Sequence, residues 1–338
     1  MIWYERDQRC IPAHHQPACL IDLALSRGIE QHRLMRGTGL FYDDVLAGQT
    51  RISPEHFLRL LQNAEHLLSA PDTSFLLGQR LLPGHYGAAS LALSHAANLQ
   101  EALDLLVRHR ASLSPLFAPR LVHDEQYLCL YWIDSCGAGT TRRFMAETCQ
   151  TTVAAMCRWL SGEHLPWHFL FSHAQPSYLE QYQAHLGNQL HFNAQIDAMI
   201  IAREYLIKPW PRAQSTAGRI AQRDALTEQA SQAMEQGFLE HIYALLQADA
   251  RQPASLESLA VQLGISPSTL KRKLHKHGTH FQAVYDQVRK HVALYLYWSR
   301  GLTNEEVADY LGFHDTTNFR RAFKRWTGCV PSILKPLA

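Results

Sequence analysis

The 338-residue chain has no CxxC pair, no HExxH, no GxSxG and no window approaching eighteen apolar residues. Its seven cysteines, at 10, 19, 129, 136, 149, 157 and 329, are odd in number and scattered, which argues against a disulfide framework and leaves reduced thiols as the expectation. Twenty histidines are present, yet none stands in a ladder of zinc-finger spacing, so no metal site is expected. RGTGLF and CGAGTT contain GxG but lack the third glycine of a dinucleotide loop, and with no nucleophile elbow the sequence nominates neither a catalytic residue nor a cofactor. GHYGAASLALSHAANLQ, the most apolar stretch, is broken by two His, an Asn and a Gln, which excludes a membrane span there. The start, MIWYERDQRC, is charged in its first turn and lacks a signal-peptide layout; a cytoplasmic protein is expected.

What is present is unevenly distributed. The net charge of +2 conceals 12 Lys and Arg against 6 Asp and Glu from Ala254 to Ala338, and 20 against 24 in the remainder. A basic last quarter behind a near-neutral body is the pattern of a nucleic-acid-binding appendage on a sensory or assembly domain. Length favours about two domains.

Up to about residue 210, helical and extended patterns alternate. SPEHFLRLLQNAEHLL (53–68) has Ser53 as N-cap, Pro54 at the first helical position and an apolar stripe of Phe57, Leu60, Leu61, Ala64, Leu67 and Leu68. LQEALDLLVRH (99–109) and RRFMAETCQTTVAAMCRWL (142–160) predict two more helices. PLFAPRLVHDEQYLCLYWID predicts a hairpin turning at His123–Gln126, and WHFLFSH and DAMIIAR predict strands. This mixed order predicts an α+β domain. KPWP at 208–211 marks a boundary. The proline-free run from Arg212 to Ala250 reads as one long helix carrying Ile220, Ala221, Leu226, Ala230, Ala233, Met234, Ile242 and Leu245, either a dimerisation element or a packed connector.

The last segment contains a repeat. LAVQLGISPSTLKRKLHKHG (259–278) and VADYLGFHDTTNFRRAFKRWTG (307–328) share a plan: a small amphipathic helix, Leu-Gly, an apolar residue, then a basic helix ending near Gly, at an offset of 48 to 50 residues. In the first copy Ser255 caps a helix through Leu263, Gly264 makes the turn, Ile265 plugs the angle and Ser266-Pro267 opens a second helix. Leu270 and Leu274 face inward there, leaving Ser268, Thr269, Lys271, Arg272 and Lys276 outward. In the second copy Thr303 and Glu306 form a capping box, Gly312 turns and Phe313 plugs. Phe319, Phe323 and Trp326 face the core; Thr316, Thr317, Arg320, Arg321, Lys324 and Arg325 face out. This is the pattern of a helix-turn-helix, whose second helix enters the major groove. Arginine holds guanine O6 and N7 through its planar fork, and lysine suits phosphate.

Between the copies a helix from Phe281 to Trp298 carries Phe281, Val284, Val288, Val292, Tyr295 and Leu296. As a brace it would set two recognition helices in successive major grooves roughly 34 Å apart. Competing readings stay open for some residues. Arg272 and Arg321 either read bases or bridge to a carboxylate in the bundle. His275, His277 and His280 touch phosphate, face solvent or bind metal.

These residues resemble the AraC/XylS family of bacterial transcription regulators over about the last 85 residues: LAVQLGISPSTLKRKL, then Phe281 and Arg289, then VADYLGFHDTTNFRRAFKRWTGCVPSILK. The family ends in Gly-x-x-Pro followed by an aromatic and Arg; Gly328 and Pro331 match, whereas Leu334 and Lys335 replace that pair. LLGQRLLPGHYGAASLALSHAANLQEALDLLVRH and LHFNAQIDAMIIAREYLIKPWP resemble the arabinose-binding-type sensory domain of the subgroup with ornithine-utilisation regulators and VirS-like proteins.

The resemblance implies an α+β N-terminal sensory domain followed by an all-α C-terminal domain of two helix-turn-helix motifs joined by a central helix. The expected division is 1–210 for effector sensing and dimerisation, 211–252 for a helical linker and 253–338 for DNA binding. The expected function is a sequence-specific transcription activator that binds promoter double-stranded DNA and works with RNA polymerase, under a small-molecule effector whose identity and pocket residues are unknown, with a homodimer as a candidate assembly. The alternatives are an effector-independent architectural DNA binder and, behind it, an enzyme with a DNA-binding tail.

Overall fold

The computed structural model describes residues 3–231 and 236–331; Leu334 and Lys335, which depart from the family ending, lie outside them. The chain divides into two compact units after Phe238, with 122–126 counted in the second.

Among the described residues there are nine strands: β1 (Trp3–Tyr4), β2 (Ile11–Pro12), β3 (Arg51–Ile52), β4 (Phe117–His123), β5 (Tyr127–Asp134), β6 (His168–Leu170), β7 (Leu190–His191), β8 (Ala198–Ala202) and β9 (Gln236–Gly237). β4 to β8 form the main sheet in the order β4-β5-β8-β6-β7, in which β8 runs antiparallel to both β5 and β6 and β7 is parallel to β6. The hairpin expected around 123–126 joins β4 to β5, and WHFLFSH and DAMIIAR supply β6 and β8. β8 is a continuous apolar run in which Ala198, Met199, Ile200 and Ile201 are all buried, as a strand covered on both faces requires, whereas β6 buries only its central Phe169.

Helices cover the sheet. Ser53 Oγ accepts from the His56 N–H at 3.2 Å to open the helix Pro54–Leu68, whose Phe57, Leu60, Leu61 and Ala64 are buried. Asn98 caps Leu99–Arg108 in the same way, accepting from the Glu101 N–H at 3.0 Å. The helices Thr73–Leu81 and Arg142–Ser161 pack closely, which Gly78 permits: a Cβ there would lie 2.7 Å from the Thr148 carbonyl oxygen and 2.7 Å from Thr151 Cβ. Glu147 on the longer helix is 3% exposed and accepts from Ser74 Oγ at 2.5 Å, Arg143 Nε at 3.2 Å, Tyr178 OH at 3.1 Å and Tyr182 OH. Four donors offset its loss of hydration. Burial, followed by this carboxylate, pushes the Tyr178 phenol up to about 12.

The run from 212 to 250 is not the single helix that its lack of proline suggests. One helix spans Ser215–Ser231 and another Phe238–Ala248, with β9 between them; Ala233 and Met234 lie outside the described residues. β9 pairs in parallel with β1, Trp3 opposite Gln236 and Tyr4 opposite Gly237. Gly237 lets the chain lie against Ser135, whose carbonyl oxygen would be 2.5 Å from a Cβ there. The helix Ser215–Ser231 buries Ala221 and Ala225 and packs on Ala88–Ser94 in the first unit, while Ile220 and Leu226, expected on its apolar stripe, are 48% and 49% exposed.

The second unit is built of helices: Phe238–Ala248, Leu256–Gln262, Pro267–Lys276, the central helix Phe281–Arg300, Asn304–Tyr310 and Thr316–Thr327. The central helix buries Val284, Val288, Val292 and Leu296 at the expected period. Tyr295 does not join that stripe; Tyr297 does the bracing, its ring 5.8 Å from that of Phe323 and 6.4 Å from that of Phe319. Tyr243, fully buried, holds Phe238–Ala248 to the central helix through a hydrogen bond between its hydroxyl and His291 Nδ1 at 2.9 Å. Among the described residues, no helix is long and apolar enough to cross a membrane.

Candidate nucleic-acid interface

Each half of the interface begins with a cap. Ser255 Oγ accepts from the Ser258 N–H at 3.0 Å, and Ser258 Oγ accepts from the Ser255 N–H at 3.0 Å, opening Leu256–Gln262. Gly264, at φ 65°, turns the chain where an L side chain would be strained, and the Ile265 N–H returns to the Ala260 carbonyl at 3.0 Å. Ser266 Oγ then accepts from the Thr269 N–H at 3.2 Å and opens the first recognition helix, Pro267–Lys276. Leu270 and Leu274 are 0% and 1% exposed, which fixes the buried face. Ser268, Lys271, Arg272 and Lys276 are exposed, as the pattern requires. Thr269 is half-buried, its hydroxyl 2.8 Å from Ser266 Oγ, so it shares in the cap.

The three histidines separate. His277 is 1% exposed and its Nδ1 meets the Lys273 carbonyl oxygen at 2.8 Å, closing the helix end; it faces neither solvent nor phosphate. His275 and His280 are exposed.

The second half repeats the plan with stronger chemistry. Thr303 and Glu306 form the reciprocal box: the Glu306 N–H donates to Thr303 Oγ1 at 3.3 Å and the Thr303 N–H to Glu306 Oε2 at 2.7 Å. The Thr303 N–H, and after it the Thr303 hydroxyl at 2.9 Å, donate to this carboxylate and hold it below its ordinary pKa. Gly312 turns at φ 68°, and the second recognition helix, Thr316–Thr327, starts from Asp315, which accepts from the Asn318 N–H at 2.7 Å. That cap was missed by the pattern reading, although an Asp immediately before a helix is a local signal. Phe319 and Phe323 are fully buried, and Trp326 is half-buried, its ring 6.1 Å from that of Phe313. Thr317, Arg320, Arg321 and Lys324 are exposed and Thr316 is half-buried. Arg325 is exposed as well and reaches Asp286 on the central helix at 3.3 Å.

Arg289 joins the pieces. Its Nη2 donates to the Leu311 carbonyl at 2.6 Å and its Cζ lies 4.1 Å from the centre of the Phe313 ring. The central helix is thereby tied to the turn that aims the second recognition helix. Among the described residues, Lys271, Arg272, Arg320, Arg321 and Lys324 form no ion pair, so neither Arg272 nor Arg321 bridges to a described carboxylate. Each recognition helix therefore presents unneutralised cations on the face opposite its buried one, the arrangement that displaces counterions from a nucleic-acid backbone.

Residues 28–210 match the family described as the arabinose-binding domain of AraC transcription regulator, N-terminal, and residues 259–335 match a helix-turn-helix domain family. The ornithine utilization regulator of Pseudomonas aeruginosa is 29% identical over 314 residues, 93% of both chains. The HTH-type regulator VqsM of the same organism is 32% identical over 92 residues, 27% of this chain and 28% of that one. Among solved structures, the transcriptional regulator CdpR of Pseudomonas aeruginosa is 22% identical with a TM-score of 0.47, covering 94% of this chain and 96% of that one. The helix-turn-helix match falls on the two capped, solvent-facing basic helices, and the N-terminal match covers more than half of the chain. The chain belongs to the AraC family of DNA-binding transcription regulators, with an effector-binding domain of the arabinose-binding type ahead of its helix-turn-helix region.

Proposed function

We propose that the protein is a transcription activator whose N-terminal unit responds to a small-molecule effector and thereby alters how the two recognition helices engage promoter DNA. The observation that carries this reading is the pair of recognition helices, each with exposed basic side chains on the face opposite its buried one, braced on one central helix through Arg289, Tyr297 and the buried valines. In this reading Ser268, Thr269, Lys271, Arg272 and Lys276 serve the first half-site, and Thr316, Thr317, Arg320, Arg321 and Lys324 the second. The arginines read guanine, and the lysines and helix N-termini hold phosphate. Residues 1–210 sense and dimerise, 211–252 couple, and 253–338 bind DNA; the activator works in the cytoplasm as a homodimer that contacts RNA polymerase. Coupling requires that the effector bind more tightly to one arrangement of the DNA-binding unit than to the other.

Genome-wide mapping of bound promoters, followed by footprinting, tests this. The expected result is a small set of promoters, each protected in two major-groove segments about one turn apart, roughly 34 Å. Even coverage without sequence preference would make the protein an architectural binder and refute the proposal.

A further inference from the structure

An apolar cavity of the first unit, among Phe57, Leu77, Phe117, Trp132 and Cys149, measures about 40 Å³, enough for a few water molecules at most. A groove elsewhere in the same unit is far larger, about 700 Å³, and small-molecule sites fall at about 300–1,000 Å³. Trp167 and Phe169, each 2% exposed, contribute an apolar wall. Arg158 and Trp159, from the helix Arg142–Ser161, contribute another, with Arg212 from the segment after Trp210.

Three features point to a ligand. Among the described residues, no Asp or Glu lines the groove, yet two guanidinium groups do, and neither forms an ion pair. Arg212 Cζ lies 4.6 Å from the centre of the Trp159 ring, so the indole holds the cation in place while its in-plane N–H donors remain unused. Trp159 itself is 45% exposed, a large apolar surface left open beside two like charges. A molecule with an oxyanion head and an apolar body satisfies all three: it neutralises the arginines, accepts their paired N–H bonds and covers the indole.

We propose that this groove is the effector site and that the effector is a small organic anion, its carboxylate or phosphate head held by Arg158 and Arg212 and its aromatic or aliphatic body laid against Trp159. This assignment rests on the reading of the N-terminal unit as a ligand sensor.

The test uses the full chain and the anionic fluorophore 8-anilinonaphthalene-1-sulfonate, with neutral N-phenyl-1-naphthylamine as its uncharged counterpart. The wild type binds one equivalent of the anion, with energy transfer from tryptophan, and indole-3-acetate and phenyl phosphate compete to tell a carboxylate preference from a phosphate one. In the Arg158→Ala/Arg212→Ala double variant, checked for an unchanged circular dichroism spectrum, affinity for the anion falls by about tenfold or more, since hydrogen bonds to charged groups are lost. Binding of the neutral probe does not change, and lysine at both positions restores part of the loss. Anion affinity that is the same in wild type and double variant, or no stoichiometric binding by the wild type, overturns the proposal. Promoter output in cells separates it from the reading beneath it. Output that never varies with growth medium in the wild type defeats ligand control; output that varies equally in wild type and double variant defeats only the groove.

Discussion

Replacing Arg289 by methionine tests whether one side chain aims the second recognition helix. The guanidinium donates to the Leu311 carbonyl at 2.6 Å and stands 4.1, 5.2 and 5.5 Å from the ring centres of Phe313, Tyr285 and Trp326. A hydrogen bond from a charged donor contributes about 1.5–3 kcal/mol, and cation–π contacts in a partly desolvated site about 0.5–2 kcal/mol. Opposing these is burial, the largest cause holding the Arg289 pKa below its ordinary value, and an Nε that is buried without a partner, at a cost of about 1–3 kcal/mol. Methionine retains the apolar stem and removes both the gain and the cost, so the expected net destabilisation is about 1–2 kcal/mol. For a unit of this size each kcal/mol lowers the melting midpoint by about 4–8 °C. Thermal and urea melts of the full chain measure this loss, and a footprint taken well below the midpoint shows the half-site of the second helix weakening while the first is retained. An unchanged midpoint together with an unchanged footprint would refute the argument. Arg289→Lys, which keeps the charge but not the planar fork, falls between wild type and Met.

Other consequences follow from single positions. Asp315→Ala removes the acceptor for the Asn318 N–H and costs about 1 kcal/mol of stability in denaturant melts, with weaker operator binding; no change in either would mean the cap is idle. Gly78→Val drives a Cβ into the Thr148 backbone, which has no flexible end to yield, and destabilises the first unit by about 1–3 kcal/mol or more; a fully stable variant would contradict the close helix approach. Burial first, then the charges of His14, His85 and Arg51, hold the His15 pKa at about 4 against 6.5 for the free side chain. Its unfolded form binds more protons, so its contribution is fully present above about pH 6.5 and is lost as the pH falls toward about 4. His109 and His185, also lowered by burial, act in the same sense. The melting midpoint should drop across that window, and His15→Gln should flatten the drop.

Elements were legible where the physics is local. Ser53-Pro54, Ser266-Pro267 and the Thr303–Glu306 box each act within four residues, and each forms as its spacing predicts. The break in 212–250 was hidden because the partner of Gln236 and Gly237 is Trp3-Tyr4, more than two hundred residues earlier. Tyr295 and Tyr297 are the same residue type two positions apart, and only contact with Phe319 and Phe323 decides which one braces. Similarly, the pairing of Arg325 with Asp286, 39 residues earlier, appears only in the fold, and His277 looks like a surface histidine until the helix end closes over it. The outward faces of the recognition helices were readable because Leu270, Leu274, Phe319 and Phe323 mark the opposite side. The groove was not readable, since Arg158 and Arg212 lie far apart in the chain and meet only through the fold.

The central claim is that both recognition helices read DNA together, through Arg272 and Arg321. Its most direct measurement is a pair of binding isotherms, over a range of salt concentrations, for the Arg272→Ala and Arg321→Ala proteins on the mapped operator, each variant verified as folded. The account predicts a loss of about 1–3 kcal/mol for each at a distinct base position, on top of a steep fall of affinity with salt. Wild-type affinity in both variants would contradict it.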